Sequence, residues 1–205
     1  GVYLVTDKEM PVSAMMERAN LALKKTLQLP QHLKKIGVYD EKEHQKLERE
    51  KHLEMRMEQA LKNGEFVPYL QPKYELTHET IAGAEALVRW VSPEEGMIFP
   101  GEFIPLFEKN GFIVELDLYM FEQVCKMIES WHKNGYRIIP VSVNMSRGHF
   151  LVPNFFDRYK EILERYDVPK GSIEIELTES LFLNEISTMT DLVNKIHEVG
   201  LRCSI

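Results

Sequence analysis

The sequence contains little of what marks secreted or membrane proteins. Its 205 residues include only two cysteines, Cys125 and Cys203, too few for a disulfide framework and at a spacing that matches no zinc motif. It has no apolar run long enough to span a membrane and no amino-terminal signal peptide pattern. We therefore expect a cytoplasmic location and no transmembrane segment in this chain, while the parent protein could be anchored to a membrane through segments outside it.

Positive charge is also scarce, and so are the usual phosphate and metal motifs. The chain has 25 Lys and Arg residues against 32 Asp and Glu residues, a net charge of −7. This balance argues against a partner such as long nucleic acid, which binds basic surfaces, but allows a small nucleotide whose charge is met by a metal ion. The seven histidines are scattered, and no glycine-rich phosphate loop or nucleophile elbow is present.

The first 40 residues predict only a fragment of a domain. Short strands are expected over 1–7 and 36–39, around a helix over 13–26, and such a tail is too small to bury its own core. The sequence also begins at Gly1 without a Met, so we interpret this part as the end of a domain that starts elsewhere.

Residues 40–63 are dense in charge and predict a single helix. Leu53, Met57 and Leu61 recur every four residues and form one narrow apolar stripe. The stripe fits a connecting helix that packs on the next domain, or a helix used in signalling or dimerisation.

From residue 65 onward, strands and helices alternate. Residues 66–74 and 81–90 predict two strands, and the few residues between them leave no room for a crossover helix, so the pair should be antiparallel. Further helices are expected over 101–135, 153–166 and 184–199, and further strands over 137–146, 172–178 and 201–205. This order predicts parallel strands joined by right-handed crossovers.

Four of these strands have one polar face and one apolar face. Alternation places Glu85, Leu87 and Arg89 on one face of the strand IAGAEALVRW. The other three strands have polar faces that include Tyr69, Gln71, Ser142, Asn144, Ser146, Glu174, Glu176 and Thr178. Polar faces on several strands indicate either the interior of a barrel or a cleft. The polar groups lie late in each strand, which is where β/α barrels place their active site.

Three of these polar side chains could hold a metal ion. Glu85, Asn144 and Glu176 carry oxygen atoms of the kind that Mg²⁺ and Mn²⁺ prefer. The residues alone leave alternatives open. Glu85 could simply form an ion pair with Arg89, and Gln71 could be a buried amide bonded to the backbone.

Five short stretches follow one another from about residue 47, namely YLQPKYEL, IAGAEALVRW, FPGEFIPLFEKNGFI, VSVNMS and IEIELTES. In order and spacing they resemble the motifs of the EAL-domain family, the bacterial cyclic di-GMP phosphodiesterases. The preceding segment is similar to the carboxyl-terminal end of a GGDEF domain, without its signature. We thus expect a GGDEF-like end over 1–40, a connecting helix over 41–63, and the amino-terminal portion of an EAL domain over 64–205.

The resemblance implies an α/β fold, namely a TIM-like (β/α) barrel with an antiparallel first strand, of which this chain holds only the first part. It implies hydrolysis of cyclic di-GMP to pGpG in second-messenger signalling, with Mg²⁺ or Mn²⁺ as cofactor. It also implies a possible homodimer through the EAL domain or the connecting helix. The implied metal ligands are Glu85, Asn144 and Glu176, the implied substrate contacts are Gln71, Leu87, Arg89 and Pro100, and Glu179 would hold a nearby loop. Glu85, Glu176 and Glu179 are the implied catalytic residues.

The family pattern continues beyond Ile205 with an acidic pair, a Lys and a further Glu of the site. We therefore expect the 205-residue segment alone to be inactive and the intact protein to be an active phosphodiesterase. The alternative function is a non-catalytic EAL module that binds cyclic di-GMP or a protein partner and relays a signal through the helix over 40–63. The intact motif residues favour the enzyme.

Overall fold

The computed structural model describes residues 1–28, 36–77, 79–177 and 186–204, which belong to two compact units. The first unit covers Gly1–Leu53 and the second Glu54–Ile205. None of the helices in the described residues is long and apolar enough to cross a bilayer.

The first unit consists mainly of helix. Helix α1 spans Val12–Gln28, and helix α2, Glu41–Asn63, begins in this unit. The strands predicted over 1–7 and 36–39 were wrong, because these segments meet only in one isolated parallel bridge between Val2 and Val38. A lone pair of short strands gains too few hydrogen bonds to form a ladder.

The second unit alternates strands and helices, as the sequence predicted. Its elements are β1 (Phe66–Glu75), β2 (Thr80–Ser92), β3 (Gly96–Ile98), α3 (Pro100–Asn110), α4 (Ile113–Lys133), β4 (Val141–Met145), a 3₁₀-helix (Arg147–Leu151), α5 (Phe155–Leu163), β5 (Ile173–Leu177), α6 (Ile186–Glu198) and β6 (Arg202–Ser204). The short strand β3 and the 3₁₀-helix were not predicted.

The six strands found in the described residues form one sheet. Its order is β1-β2-β4-β5-β6, with β3 paired to β2 outside this path. Strand β1 is antiparallel to β2, and β2, β4, β5 and β6 pair in parallel. The predicted hairpin and the predicted parallel order are both confirmed.

A glycine sets the start of the pairing between β2 and β4. The backbone N–H of Ala84 donates to the carbonyl of Pro140 at 2.9 Å. A Cβ atom on Gly83 would lie only 2.9 Å from that same carbonyl oxygen, closer than side chains come in folded proteins. The close approach of the two backbones therefore requires glycine at position 83, and it brings Glu85 opposite Ser142.

The hydrophobic core includes an aromatic cluster on the face of β2 opposite Glu85. Phe66, Trp90, Phe103 and Phe107 are each at most 1% exposed. Their ring centroids lie 4.9 to 6.1 Å apart, mostly in edge-to-face or tilted arrangements. This cluster packs α3 against β1 and β2.

Candidate active site

Four of the predicted site residues lie on the same face of four neighbouring strands. Gln71 on β1 pairs directly with Glu85 on β2, and Asn144 on β4 pairs directly with Glu176 on β5. Glu85 pairs with Ser142, two residues before Asn144 and on the same face. Directly paired residues point to the same side of a sheet, so all four side chains share one surface.

Glu85 and Asn144 touch one another. The Nδ2 atom of Asn144 donates to the Oε1 atom of Glu85 at 2.9 Å. Since a carboxylate only accepts, the amide oxygen of Asn144 turns away from Glu85. Within the described residues Glu85 is not paired with Arg89, which instead donates to the carbonyl of Val88. The ion-pair alternative for Glu85 was therefore wrong.

A lysine that sequence reasoning did not single out contacts Glu176. The Lys73 Nζ atom on β1 donates to the Oε2 atom of Glu176 at 3.1 Å. Lys73 lies two residues after Gln71, so the alternation that placed Gln71 on this face would also have placed Lys73 there. The ammonium group puts a positive charge beside one of the two glutamates.

The remaining predicted substrate contacts line a cavity of about 280 Å³ at the carboxyl ends of β2 and β4. Leu87, Arg89, Pro100 and Asn144 contribute to its wall. The Arg89 guanidinium lies 5.9 Å from the centroid of the Tyr69 ring, a distance at which a cation is attracted by an aromatic face. Cavities of this size can enclose part of a nucleotide-sized ligand.

Pro100 begins helix α3. A proline suits the first helical turn, where its missing N–H has no intrahelical partner in any case. The predicted residue Glu179 lies outside the described residues.

Beneath the site lies a polar cluster that the sequence did not reveal. Asp117 on α4, His149 in the 3₁₀-helix and Tyr159 on α5 are all buried. Asp117 and Ser146 also line the cavity. One signal was available in the sequence, because Asp117 interrupts an apolar stretch of α4. Its partner His149, however, lies 32 residues further along the chain.

The oxygen atoms on this face fit a hard divalent cation. Two carboxylates, Glu85 and Glu176, and the amide oxygen of Asn144 form a donor set of the type that Mg²⁺ and Mn²⁺ prefer. No group of three His, Cys, Asp or Glu side chains with metal-binding geometry occurs in the described part of the chain. The candidate metal ligands in the described residues are thus two carboxylates and one amide oxygen.

The cysteines do not fit a nucleophile at this site. Burial raises the pKa of the Cys125 thiol to about 12, so the reactive thiolate is scarce near neutral pH. Burial also raises the pKa of Cys203, which is half-buried on β6.

Comparison with known proteins connects this geometry to one family. The model of the EAL domain matches residues 54–205. The signaling protein YkoW of Bacillus subtilis is 32% identical over 152 residues, which cover 74% of this chain and 19% of that protein. The bifunctional diguanylate cyclase/cyclic di-GMP phosphodiesterase MucR of Pseudomonas aeruginosa is 29% identical over 149 residues, covering 73% of this chain and 22% of that protein. The chain thus spans about a fifth of the length of these relatives.

Solved structures show the same architecture. The PaMucR phosphodiesterase in complex with c-di-GMP superposes with a TM-score of 0.69 at 28% identity, covering 75% of this chain and 62% of that one. The predicted fold, part of a TIM-like (β/α) barrel with an antiparallel first strand, is confirmed.

Proposed function

Because the chain belongs to the EAL domain family, we propose that the protein carrying it hydrolyses cyclic di-GMP to pGpG. The relative MucR is named a cyclic di-GMP phosphodiesterase, and the PaMucR phosphodiesterase structure is a c-di-GMP complex. One observation of this chain carries the proposal. Glu85, Asn144 and Glu176 lie together on one face of the sheet, and Asn144 also lines the adjoining cavity.

The proposed cofactor is Mg²⁺ or Mn²⁺, held by Glu85, Asn144 and Glu176. When bound, the ion would supply charge neutralisation for the phosphate oxygens and activation of the attacking water. The hydrogen bond from Asn144 to Glu85 already fixes these two side chains relative to one another. Lys73 forms an ion pair with the carboxylate of Glu176. The ion pair holds the Glu176 side chain in place and reduces the net negative charge of the site.

The cavity residues are proposed to orient the substrate. The Arg89 guanidinium can donate hydrogen bonds to two oxygens of one phosphate, and this bidentate geometry also fixes the orientation of the phosphate. Leu87 and Pro100 add apolar walls to the cavity that could pack against a base. Gln71 lies directly opposite Glu85 and can hydrogen-bond to the ligand. Glu179 is proposed, from its motif alone, to hold the loop beside the site.

The organisation of the intact protein is also a proposal. We expect the GGDEF-like end over 1–40, the connecting helix over 41–63 and the EAL portion over 64–205 to be separate functional parts. On the basis of the sequence, we also propose that the protein dimerises through the EAL domain or the connecting helix. The proposed location is the cytoplasm.

Turnover of cyclic di-GMP by the full-length protein tests the proposed function. The purified protein is incubated with cyclic di-GMP and Mn²⁺, and the products are separated by chromatography. We expect pGpG to accumulate and chelation of the metal to stop the reaction. Binding of cyclic di-GMP without turnover would favour the non-catalytic module, and absence of both binding and turnover would contradict the family-based proposal.

A further inference from the structure

A buried polar cluster lies next to the proposed metal ligands. Asp117, His149 and Tyr159 are 9%, 0% and 1% exposed. They come from three different elements, since Asp117 lies on α4, His149 in the 3₁₀-helix after β4 and Tyr159 on α5. Nothing in the proposed reaction uses these three side chains directly.

Asp117 is the centre of this cluster. Its Oδ2 atom accepts a hydrogen bond from the backbone N–H of Ser146 at 2.8 Å and lies 3.1 Å from the Nε2 atom of His149. Because a carboxylate can only accept, Nε2 of His149 carries the proton and donates to Asp117. The Tyr159 hydroxyl lies 3.1 Å from the same nitrogen. The Tyr159 ring packs edge-on against the imidazole ring of His149, with 5.3 Å between the ring centroids.

The hydrogen bond to Ser146 acts on the strand that carries Asn144. Ser146 is the first residue after β4 and lies two residues beyond Asn144. Asp117, Asn144 and Ser146 line the same cavity. The carboxylate therefore ties the carboxyl end of β4 to helix α4, at the point where β4 enters the site.

Packing alone does not account for an aspartate at this position. Burying a carboxylate is costly unless it is hydrogen-bonded, and the neighbours Leu116 and Leu118 show that α4 is otherwise packed by apolar side chains. An apolar residue at position 117 would fill the space without that cost. The aspartate instead accepts hydrogen bonds from the backbone N–H of Ser146 and from Nε2 of His149, and the first of these acts directly on the end of β4.

We propose that Asp117, oriented by His149 and Tyr159, is a positioning residue that fixes the end of β4 and thereby the orientation of Asn144. The inference rests on the proposed function, because it takes Asn144 to be a metal ligand. Groups that orient the ligands of a metal typically change its affinity by about 10- to 100-fold when they are removed.

The test measures binding of Mn²⁺ alone to the full-length protein by isothermal titration calorimetry, without substrate. Asp117→Ala removes the acceptor, and we expect it to weaken Mn²⁺ binding at least tenfold with an unchanged circular dichroism spectrum. Asp117→Asn keeps an oxygen acceptor but loses its charge, and neutral hydrogen bonds are weaker. Its affinity should lie between those of Asp117→Ala and the wild type.

Glu115→Ala is the matched control. Glu115 lies two residues earlier on α4, and its carboxylate bonds to Arg158 on the surface at 2.7 and 2.8 Å rather than to β4. We expect this variant to bind Mn²⁺ like the wild type.

Each outcome decides the inference. If Asp117→Ala binds Mn²⁺ as tightly as Glu115→Ala, the positioning role is wrong. If Asp117→Ala does not fold, the comparison of Asp117→Asn with Glu115→Ala decides in the same way. A wild-type protein that binds no Mn²⁺ would overturn the proposed function as well, whereas tight binding by all variants would overturn only the role of Asp117.

Discussion

At the scale of single residues, Glu85 and Asn144 depend on one another. The amide nitrogen of Asn144 is used in its bond to Glu85, so its oxygen is the atom that remains for a ligand. A change at either residue therefore alters two of the three proposed metal donors.

A Glu85→Gln substitution in the full-length protein should separate function from folding. Glutamine keeps the shape of the side chain but removes the charge and one acceptor oxygen. Loss of a direct ligand should exceed the about 10- to 100-fold effect of orienting groups, so we expect hydrolysis of cyclic di-GMP to fall by about 100-fold or more. The measurements are initial rates with saturating Mn²⁺, and the melting temperature, which should stay near that of the wild type.

Glu94→Gln is the control for this substitution. Its side chain is 74% exposed, and its partner Arg56 keeps a closer ion pair with Glu95 at 2.6 Å. Equal activity of Glu85→Gln and Glu94→Gln would show that Glu85 is not a ligand.

Single residues also show how far the sequence could predict the site. Strict alternation was enough to place Glu85, Asn144 and Glu176 each on the polar face of its own strand, because strand geometry is local. The pairing of the strands then brings these faces together. The hydrogen bond between Asp117 and His149 could not be predicted from the sequence, because this contact depends on how α4 packs on the segment after β4. A helix position alone does not specify such a contact.

At the scale of elements, the contacts between helices α4 and α5 include a buried ring contact and an exposed ion pair. The rings of Phe121 and Tyr159 meet edge-on at 4.9 Å between centroids. On the surface, both oxygens of Glu115 accept hydrogen bonds from the Arg158 guanidinium. The surface contact depends on the charge of Glu115 and therefore on pH.

Arg158→Met should reduce stability at neutral pH and not in acid. The hydrogen bonds from Arg158, more than its charge, hold the pKa of Glu115 below its usual value. A carboxyl whose pKa is lowered by folding stabilises the protein above its unfolded-state pKa, and this stabilisation is lost as the pH falls through the folded-state pKa. Exposed pairs contribute at most about 1 kcal/mol.

Denaturant midpoints at pH 7 and pH 3 measure this effect. The difference between wild type and Arg158→Met should be present at pH 7 and should disappear at pH 3. Lys109→Met, which removes an exposed charge at the end of α3, should show no such change. A difference that persists at pH 3 would mean that Arg158 acts through packing instead.

The boundaries of the elements were less predictable than their order. The strand expected over 137–146 is shorter in the structure, Val141–Met145. Pro140 has no backbone N–H to donate, so it cannot take part in a ladder on that side, and the regular pairing begins directly after it. Strand β3 was missed because three residues carry too short a pattern to be recognised.

At the scale of the whole molecule, order and spacing of motifs predicted the fold better than any one element did. The five motif stretches lie on β1, on β2, from the start of α3 into α4, on β4 and on β5, and the structure joins their strands into one sheet. The stability of that sheet depends on the aromatic cluster behind it.

Phe107→Ala should therefore destabilise the second unit as a whole. Phe107 is fully buried and its ring lies 5.4 to 6.1 Å from those of Phe66, Trp90 and Phe103. Replacing a buried Phe by Ala typically costs about 3 to 5 kcal/mol. Guanidinium unfolding followed by tryptophan fluorescence measures this loss, since Trp90 lies within the cluster.

Leu151→Ala provides the comparison for this core variant. Leu151 is 87% exposed, and substitutions at exposed positions usually change stability by less than about 0.5 kcal/mol. Similar unfolding midpoints for the two variants would show that the cluster does not hold the unit together.

The glycine at position 83 has a consequence for interpreting mutations. It has no side chain that could bind a ligand, yet a side chain there would collide with the Pro140 carbonyl and shift β2, with Glu85 two residues away, relative to β4. A genetic screen for loss of activity should therefore recover alleles at a residue with no chemistry of its own. Such alleles would have the same phenotype as loss of a metal-binding side chain. A second substitution that gives β4 more room would suppress them, whereas a new carboxylate would not.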